Sequence, residues 1–155
     1  MEAKSIDKKT FQLIENGQLL GELIYENLFY LKAEIKLPNS EVYQIKPVGI
    51  FRTSTTVTKN GTEIANLKMN WHGQIVIAFQ DEQEYLLKRK GMFYNKYIIE
   101  NKGKEKLMEF DPKFNWSKFR YNYTIKYDKK PEDVLLILLG IYASNYIINS
   151  MSGFM

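Results

Sequence analysis

A chain of 155 residues, 45% hydrophobic and 26% charged, is long enough to bury a core of its own and too apolar to stay disordered. Twenty-two basic against eighteen acidic residues leave a net charge of +4, a scattered excess that points only weakly to a polyanion partner. The absence of cysteine excludes disulfides, thiolate metal sites, cysteine nucleophiles and palmitoyl anchors.

The opening residues, MEAKSIDKKTFQL, are polar and lack the apolar stretch of a secretory signal, so the expected compartment is the cytoplasm. From there turn signals recur at short, regular intervals. Asn16-Gly17, Glu26-Asn27, Pro38-Asn39-Ser40, Pro47 to Gly49, Asn60-Gly61, His72-Gly73, Gln80 to Gln83, Lys90-Gly91 and Lys102-Gly103 each separate apolar or alternating runs. Turns about 8–12 residues apart mark an all-β sandwich or barrel, and Asn-Gly is the strongest local hairpin signal.

Taken in order, the runs predict strands near 10–15, 18–25, 29–37, 41–46, 50–58, 62–69, 74–79, 84–89, 92–100, 104–110 and 119–127. Two of them alternate cleanly, as half-buried strands do. Phe29, Leu31, Ala33, Ile35 and Leu37 share a face, with Lys32, Glu34 and Lys36 opposite; Phe119, Tyr121, Tyr123, Ile125 and Tyr127 oppose Arg120, Asn122, Thr124 and Lys126. Asp111 to Phe119, DPKFNWSKF, reads as the one longer connection, and no linker divides the chain, so a single domain over 1–155 is expected.

After Lys130 the pattern changes. Pro131 suits the first turn of a helix, Glu132 and Asp133 suit its positive end, and a helix is predicted over about 131–150. Nine large aliphatic residues lie between Val134 and Ile148 with no polar stripe. Such a helix is enclosed by protein or by lipid. At about 1.5–3 kcal/mol per side chain, leaving it in water would cost more than a typical domain's stability.

A membrane span needs about 20 apolar residues, and here Ser144-Asn145, Asn149-Ser150 and Ser152-Gly153 interrupt the run. Closure of the strands around the helix accounts for it better. Twelve strands about 4.8 Å apart and tilted by about 40° give a barrel of roughly 12 Å radius. A helix of about 5–6 Å radius leaves room for one layer of inward side chains. Gly140, Ala143 and Ser144 would let the wall come close on one side. The expected fold is therefore a mainly β, closed antiparallel barrel of about twelve strands enclosing a hydrophobic C-terminal helix.

This order, meandering strands and then the segment FRYNYTIKYDKKPEDVLLILLGIYASNYI, resembles the tubby C-terminal superfamily, with its LURP-one-related proteins and phospholipid scramblases. The resemblance covers nearly the whole chain and is one of architecture. It implies a twelve-stranded barrel around a central helix and a link to phosphoinositides or other membrane lipids. The cysteine cluster of scramblases is missing, and no segment matches the tubby phosphoinositide pocket.

Catalytic signatures are sparse. His72 is the only histidine and sits at a turn; no phosphate-binding loop, dinucleotide fingerprint or nucleophile elbow is present. Asp81, Glu82, Glu84, Glu105 and Glu109 are carboxylates of the kind that do acid–base work, but the outer face of a strand explains them equally. Asn60-Gly61-Thr62 matches a glycosylation acceptor and is accounted for as a hairpin turn. No catalytic residue, metal ligand or cofactor is assigned.

The basic residues carry the functional expectation. Lys88, Arg89 and Lys90 form a run at a hairpin, Lys102, Lys104 and Lys106 alternate along a predicted strand, and Lys126, Lys129 and Lys130 precede the helix. Such clusters hold anionic head groups at about 1 kcal/mol per basic residue, although lysines also coat and guard barrel walls. Lys88, Arg89, Lys90, Lys104 and Lys106 are the candidate anion- or lipid-binding residues. The expectation is a non-enzymatic cytoplasmic barrel, peripheral to the membrane, that binds anionic phospholipid or a protein partner through its outer surface. A tail-anchored or lipid-carrying barrel is the alternative. Tyr121, Tyr123 and Tyr127 read as wall packing on the helix and not as a stacking platform, so no nucleic acid is expected.

Overall fold

The computed structural model describes residues 1–27, 31–49 and 54–151. Twelve strands run β1 (Glu2–Ser5), β2 (Thr10–Glu15), β3 (Gln18–Tyr25), β4 (Ala33–Lys36), β5 (Val42–Val48), β6 (Ser54–Lys59), β7 (Thr62–Met69), β8 (Ile75–Phe79), β9 (Glu84–Lys90), β10 (Lys96–Asn101), β11 (Lys106–Asn115) and β12 (Arg120–Lys126). One helix, α1 (Val134–Met151), follows. Each strand pairs antiparallel with its neighbours in sequence, and β1 closes the barrel by pairing with β12 through Glu2–Thr124 and Ala3–Tyr123. Closure leaves no free edge, which removes the main aggregation hazard of a β protein.

The expected class holds, and several boundaries move. The strands begin at Glu2 and not near residue 10. β1 is four residues long, and its Ala3 and Ser5 are too small to stand out as an apolar face. Pro47 lies within β5, opposite Thr55. Met92 to Asn95 form the β9–β10 turn and not the start of a strand, with Tyr94 N–H donating to Gly91 O at 3.2 Å. Asp111 to Asn115 extend β11, so the predicted long connection is a tight turn over 116–119. Phe119 sits in that turn with φ of 55° and is 58% exposed, although Tyr123 and Ile125 are buried as their alternation requires. Phe29, the first part of the predicted 50–58 strand and Ser152-Gly153 lie outside the described residues. Both Asn-Gly turns form as expected, with φ of 51° and 78° at Asn16 and Gly17 and of 52° and 80° at Asn60 and Gly61.

The helix starts at Val134, three residues later than Pro131. Asp133 caps it: its Oδ1 accepts from Leu136 N–H at 3.3 Å. Leu135 to Asn145 are buried without a break, so the helix is the core and the strands are its shell. Where it passes Tyr142 and Tyr146 near β7 and β8, the unfilled space is about 10 Å³, no more than one water.

Two features fix how the helix sits. Gly140 faces β10 and β11, where an added Cβ would come within 2.5 Å of Phe110 and 2.8 Å of Ile99. Glycine at this position is what lets the wall close. Asn145, buried in the lumen, accepts from the Tyr123 hydroxyl at 2.7 Å and donates to Tyr25 Oη at 3.1 Å. Tyr25 stacks on Tyr142, whose hydroxyl donates to Leu31 O at 2.6 Å. Burial raises the pKa of Tyr142 well above its ordinary value.

Alternating strand direction gives the barrel two distinct ends. At one lie the C-terminal ends of β1, β3, β5, β7, β9 and β11; at the other lie the C-terminal ends of the even-numbered strands, together with the entry to the helix. The C-terminal end of α1 reaches the first of these, where Arg89 Nη1 approaches Met151 Sδ at 2.9 Å.

Candidate functional site

The five candidate residues come together. Lys88, Arg89 and Lys90 at the end of β9, Lys104 in the β10–β11 turn and Lys106 at the start of β11 line one cleft of about 460 Å³ on the barrel wall. Its floor is Ile98 and Glu100 of β10, and Gly91, Met92 and Tyr94 close its upper end. Ile98 and Glu100 point outward yet are only 3% and 7% exposed, because the flanking side chains fold over them.

Local sequence explains the construction. In β9 the alternation that sends Leu87 into the core sends Lys88 and Lys90 outward. In β11 a bulge inserts Leu107, so Lys106 stands opposite Glu100 where a regular ladder would place Leu107. The bulge therefore delivers a lysine to the cleft in place of an apolar residue. Lys104 reaches it from a turn, with φ of 64°, and not from the strand alternation expected for Lys102, Lys104 and Lys106.

The lining of the cleft thus holds five basic residues, spread along the wall, and one carboxylate. Lys88 Nζ contacts Glu100 Oε1 at 3.1 Å, and the Arg89 guanidinium lies 5.6 Å from the centre of the Tyr94 ring. Among the described residues no carboxylate lies within ion-pair distance of Lys90, Lys104 or Lys106. A phosphate entering here would meet cationic donors in excess of the one carboxylate.

A larger depression, about 670 Å³, lies where the chain enters the helix. There Glu105, Asp128, Glu132 and Asp133 offset Lys106, Lys129 and Lys130, so charge does not select a ligand. Three of the carboxylates singled out in the sequence have local partners. Asp81 Oδ1 accepts from Gln83 N–H in the β8–β9 turn, Glu105 is bound to Asn101, and Glu109 lies 3.9 Å from Lys96. His72 is in the β7–β8 turn, its N–H donating to Asn70 Oδ1 at 3.0 Å. Among the described residues no group of three or more His, Asp or Glu is gathered as metal ligands would be.

Met92, Tyr94, Ile98 and Glu100 were not singled out in the sequence. A lone apolar pair around a charged residue in "MFYNKYIIE" gives no sign of facing outward, and only the fold of β10 against two basic neighbours does so.

Fold and cleft together define a helix-plugged antiparallel barrel with a basic groove in its wall. Compared with family models, with curated proteins and with solved structures, the chain matches none.

Proposed function

We propose that the protein is a non-enzymatic binding module that takes a phosphate-bearing anion, a phospholipid head group in particular, in the wall cleft. The observation that carries this is the convergence of Lys88, Arg89, Lys90, Lys104 and Lys106 on one groove holding a single carboxylate. The tubby-like resemblance supports the same reading, since a twelve-stranded barrel around a C-terminal helix is the architecture it implies. On this reading the protein works at the cytoplasmic face of a membrane without spanning it.

Vesicle flotation tests it. The chain is expected to float with phosphatidylcholine vesicles containing phosphatidylserine or a phosphoinositide, and not with phosphatidylcholine alone. Lys90→Glu with Lys104→Glu removes two free cations without stranding Glu100, as loss of Lys88 would. At about 1 kcal/mol per basic residue, neutralising two already weakens binding roughly 30-fold, and reversing them weakens it further. Soluble inositol hexakisphosphate separates the sources: competition shows that the head group alone is recognised. Equal flotation with both vesicle types, or none with either, defeats the proposal.

The second reading, a tail-anchored barrel, has one observation in its favour. Val134–Met151 is long and apolar enough to cross a membrane by length and composition, though two-thirds of it is buried inside the barrel. Extracting it would empty the core.

A further inference from the structure

The exposed aromatic residues are not spread over the molecule. Among the described residues, Trp71, Phe93, Tyr94, Phe114, Trp116 and Phe119 are exposed, and all lie at the end where α1 finishes. They occupy three consecutive hairpins along the rim, β7–β8, β9–β10 and β11–β12. Trp71 is fully exposed, with Met92 at 88%, Phe93 at 78% and Trp116 at 76%.

The β11–β12 hairpin also projects. The pairs Lys113–Asn122, Phe114–Tyr121 and Asn115–Arg120 run past the last ladder pairs with β1 and β10 by roughly 10 Å at about 3.4 Å per residue. On the β1 side they are tied by Ser5 N–H donating to Asn122 Oδ1 and Arg120 Nε donating to Lys8 O. Phe114 packs edge-on against Trp116 at 4.7 Å and Tyr121 at 5.3 Å, so the projection is stiffened by its own rings. Tyr121 anchors the cluster against the core, while Phe114, Trp116 and Phe119 stay exposed.

Charge follows the same axis. Lys8, Lys9, Lys90 and Lys118 lie in or beside the turns of the aromatic end, with Asp7 and Glu26 as the acids among the described turn residues there. Asp7 is occupied in its own turn, accepting from Lys9 and Thr10 N–H at 2.8 Å. The opposite end holds both Asn-Gly turns and carries Glu41, Asp81, Glu82, Glu105, Asp128 and Glu132 among its lysines, without an exposed aromatic among the described residues.

The geometry points to the aromatic end as a membrane-docking face that seats on an anionic bilayer, with Trp71, Phe93 and Trp116 lodged at head-group level. Aromatic rings on separate hairpin tips, interleaved with lysines, match an interface whose outer layer is anionic and whose next layer is apolar. A protein partner would need a continuous complementary patch, whereas these rings stand on tips divided by strands. Seated in this way, the barrel axis stands across the membrane plane and the end of α1 faces the lipid. This goes beyond the wall cleft, with which it shares Lys90, Met92 and Tyr94, and rests on Trp71, Phe93 and Trp116, which lie outside it.

Both tryptophans of the chain lie on this face, which makes them native probes. With phosphatidylcholine–phosphatidylserine vesicles, tryptophan emission is expected to shift to the blue and to be quenched by brominated acyl chains. Phe93→Asp should weaken partitioning roughly tenfold or more, because an exposed tip residue bears no fold-critical contact. It should leave soluble inositol hexakisphosphate binding unchanged, which separates this face from the cleft. Leu19→Asp, on the other rim, should change neither. Flotation without an emission shift or quenching overturns the docking face, since the chain would then attach elsewhere. So does a blue shift that needs no vesicles and grows with protein concentration, which would assign the rings to a second copy.

Discussion

The Tyr123 hydroxyl and the Asn145 carboxamide meet at 2.7 Å inside the barrel, joining the last strand to the helix it encloses. Asn145 passes the bond on to Tyr25 across the lumen, so three polar groups satisfy one another where no solvent reaches. Leu or Ile would pack anywhere along this helix; Asn145 tolerates one rotation and one height. Replacing it with Leu removes the bonds the carboxamide makes to Tyr123 and Tyr25, at about 0.5–1.5 kcal/mol for each. Urea denaturation of Asn145→Leu, Tyr123→Phe and the double variant should show coupling of about 0.5–3 kcal/mol, and strictly additive losses would show that the bond does not set the register.

Gly140 offers a test in which two effects compete. Alanine is the better helix former by about 1 kcal/mol, so Gly140→Ala on an open helix would stabilise. Here the new methyl group meets the Phe110 ring at 2.5 Å and Ile99 at 2.8 Å, in a wall with no slack. Overpacking of this kind costs about 1–3 kcal/mol, and the net change is expected to be destabilising. A raised melting temperature would mean that the wall does not press on the helix there.

Leu138 is fully buried on the helix at the barrel axis. Leu138→Asp places an unpaired carboxylate among hydrocarbon, and the whole barrel is expected to unfold. Circular dichroism of the purified variant reads this directly. Retention of the strand signal would favour a helix that lives in a membrane outside the barrel.

Carboxylates at the rims tie stability to acid. Tyr127 and then Lys130 hold Glu15 below its ordinary pKa of 4.5, and Tyr43 and Lys59 do the same for Glu41. A depressed folded pKa contributes stability that is present above the unfolded value and is lost as pH falls through the folded one. The urea midpoint should therefore hold above about pH 4.5 and fall below it, and Glu15→Gln should flatten that fall. At the alkaline side the sign reverses. Burial pushes Tyr97 up to about 12 from 10.0, so its contribution is present below pH 10 and lost between 10 and 12. An ultraviolet titration of phenolate in the folded chain should show a late-ionising set of tyrosines, Tyr43, Tyr97 and Tyr142 among them.

Much of this was legible in the amino-acid order. Asn-Gly turns carry their own backbone conformation, so the hairpins at Asn16 and Asn60 could be placed without tertiary knowledge. The helix betrayed its enclosure by having no polar side, and with it the need for about twelve strands. β1 stayed hidden because Ala3 and Ser5 gain their meaning only from Tyr123 and Phe11 beside them in the ladder. Met92-Phe93-Tyr94 reads as strand by composition, since aromatics favour strands, and only the turn geometry at Tyr94 turns it outward. The five basic residues were found as a list. The placement of Lys106 among them depends on the bulge at Leu107, a register shift that local patterning does not encode.

The closing pair of strands has a consequence for how the molecule comes into being. Synthesis produces the staves of this cask first and its filling last, because α1 follows every strand in the chain. Until Val134 to Met151 emerges, the inward faces of β1 through β12 have nothing to cling to, and Ala3 must wait for Tyr123, some 120 residues later, before the ring can shut. A nascent chain of this design carries a long run of sticky, unfinished hairpins through the cell, and its yield should rise with any helper that shields them until the final segment arrives.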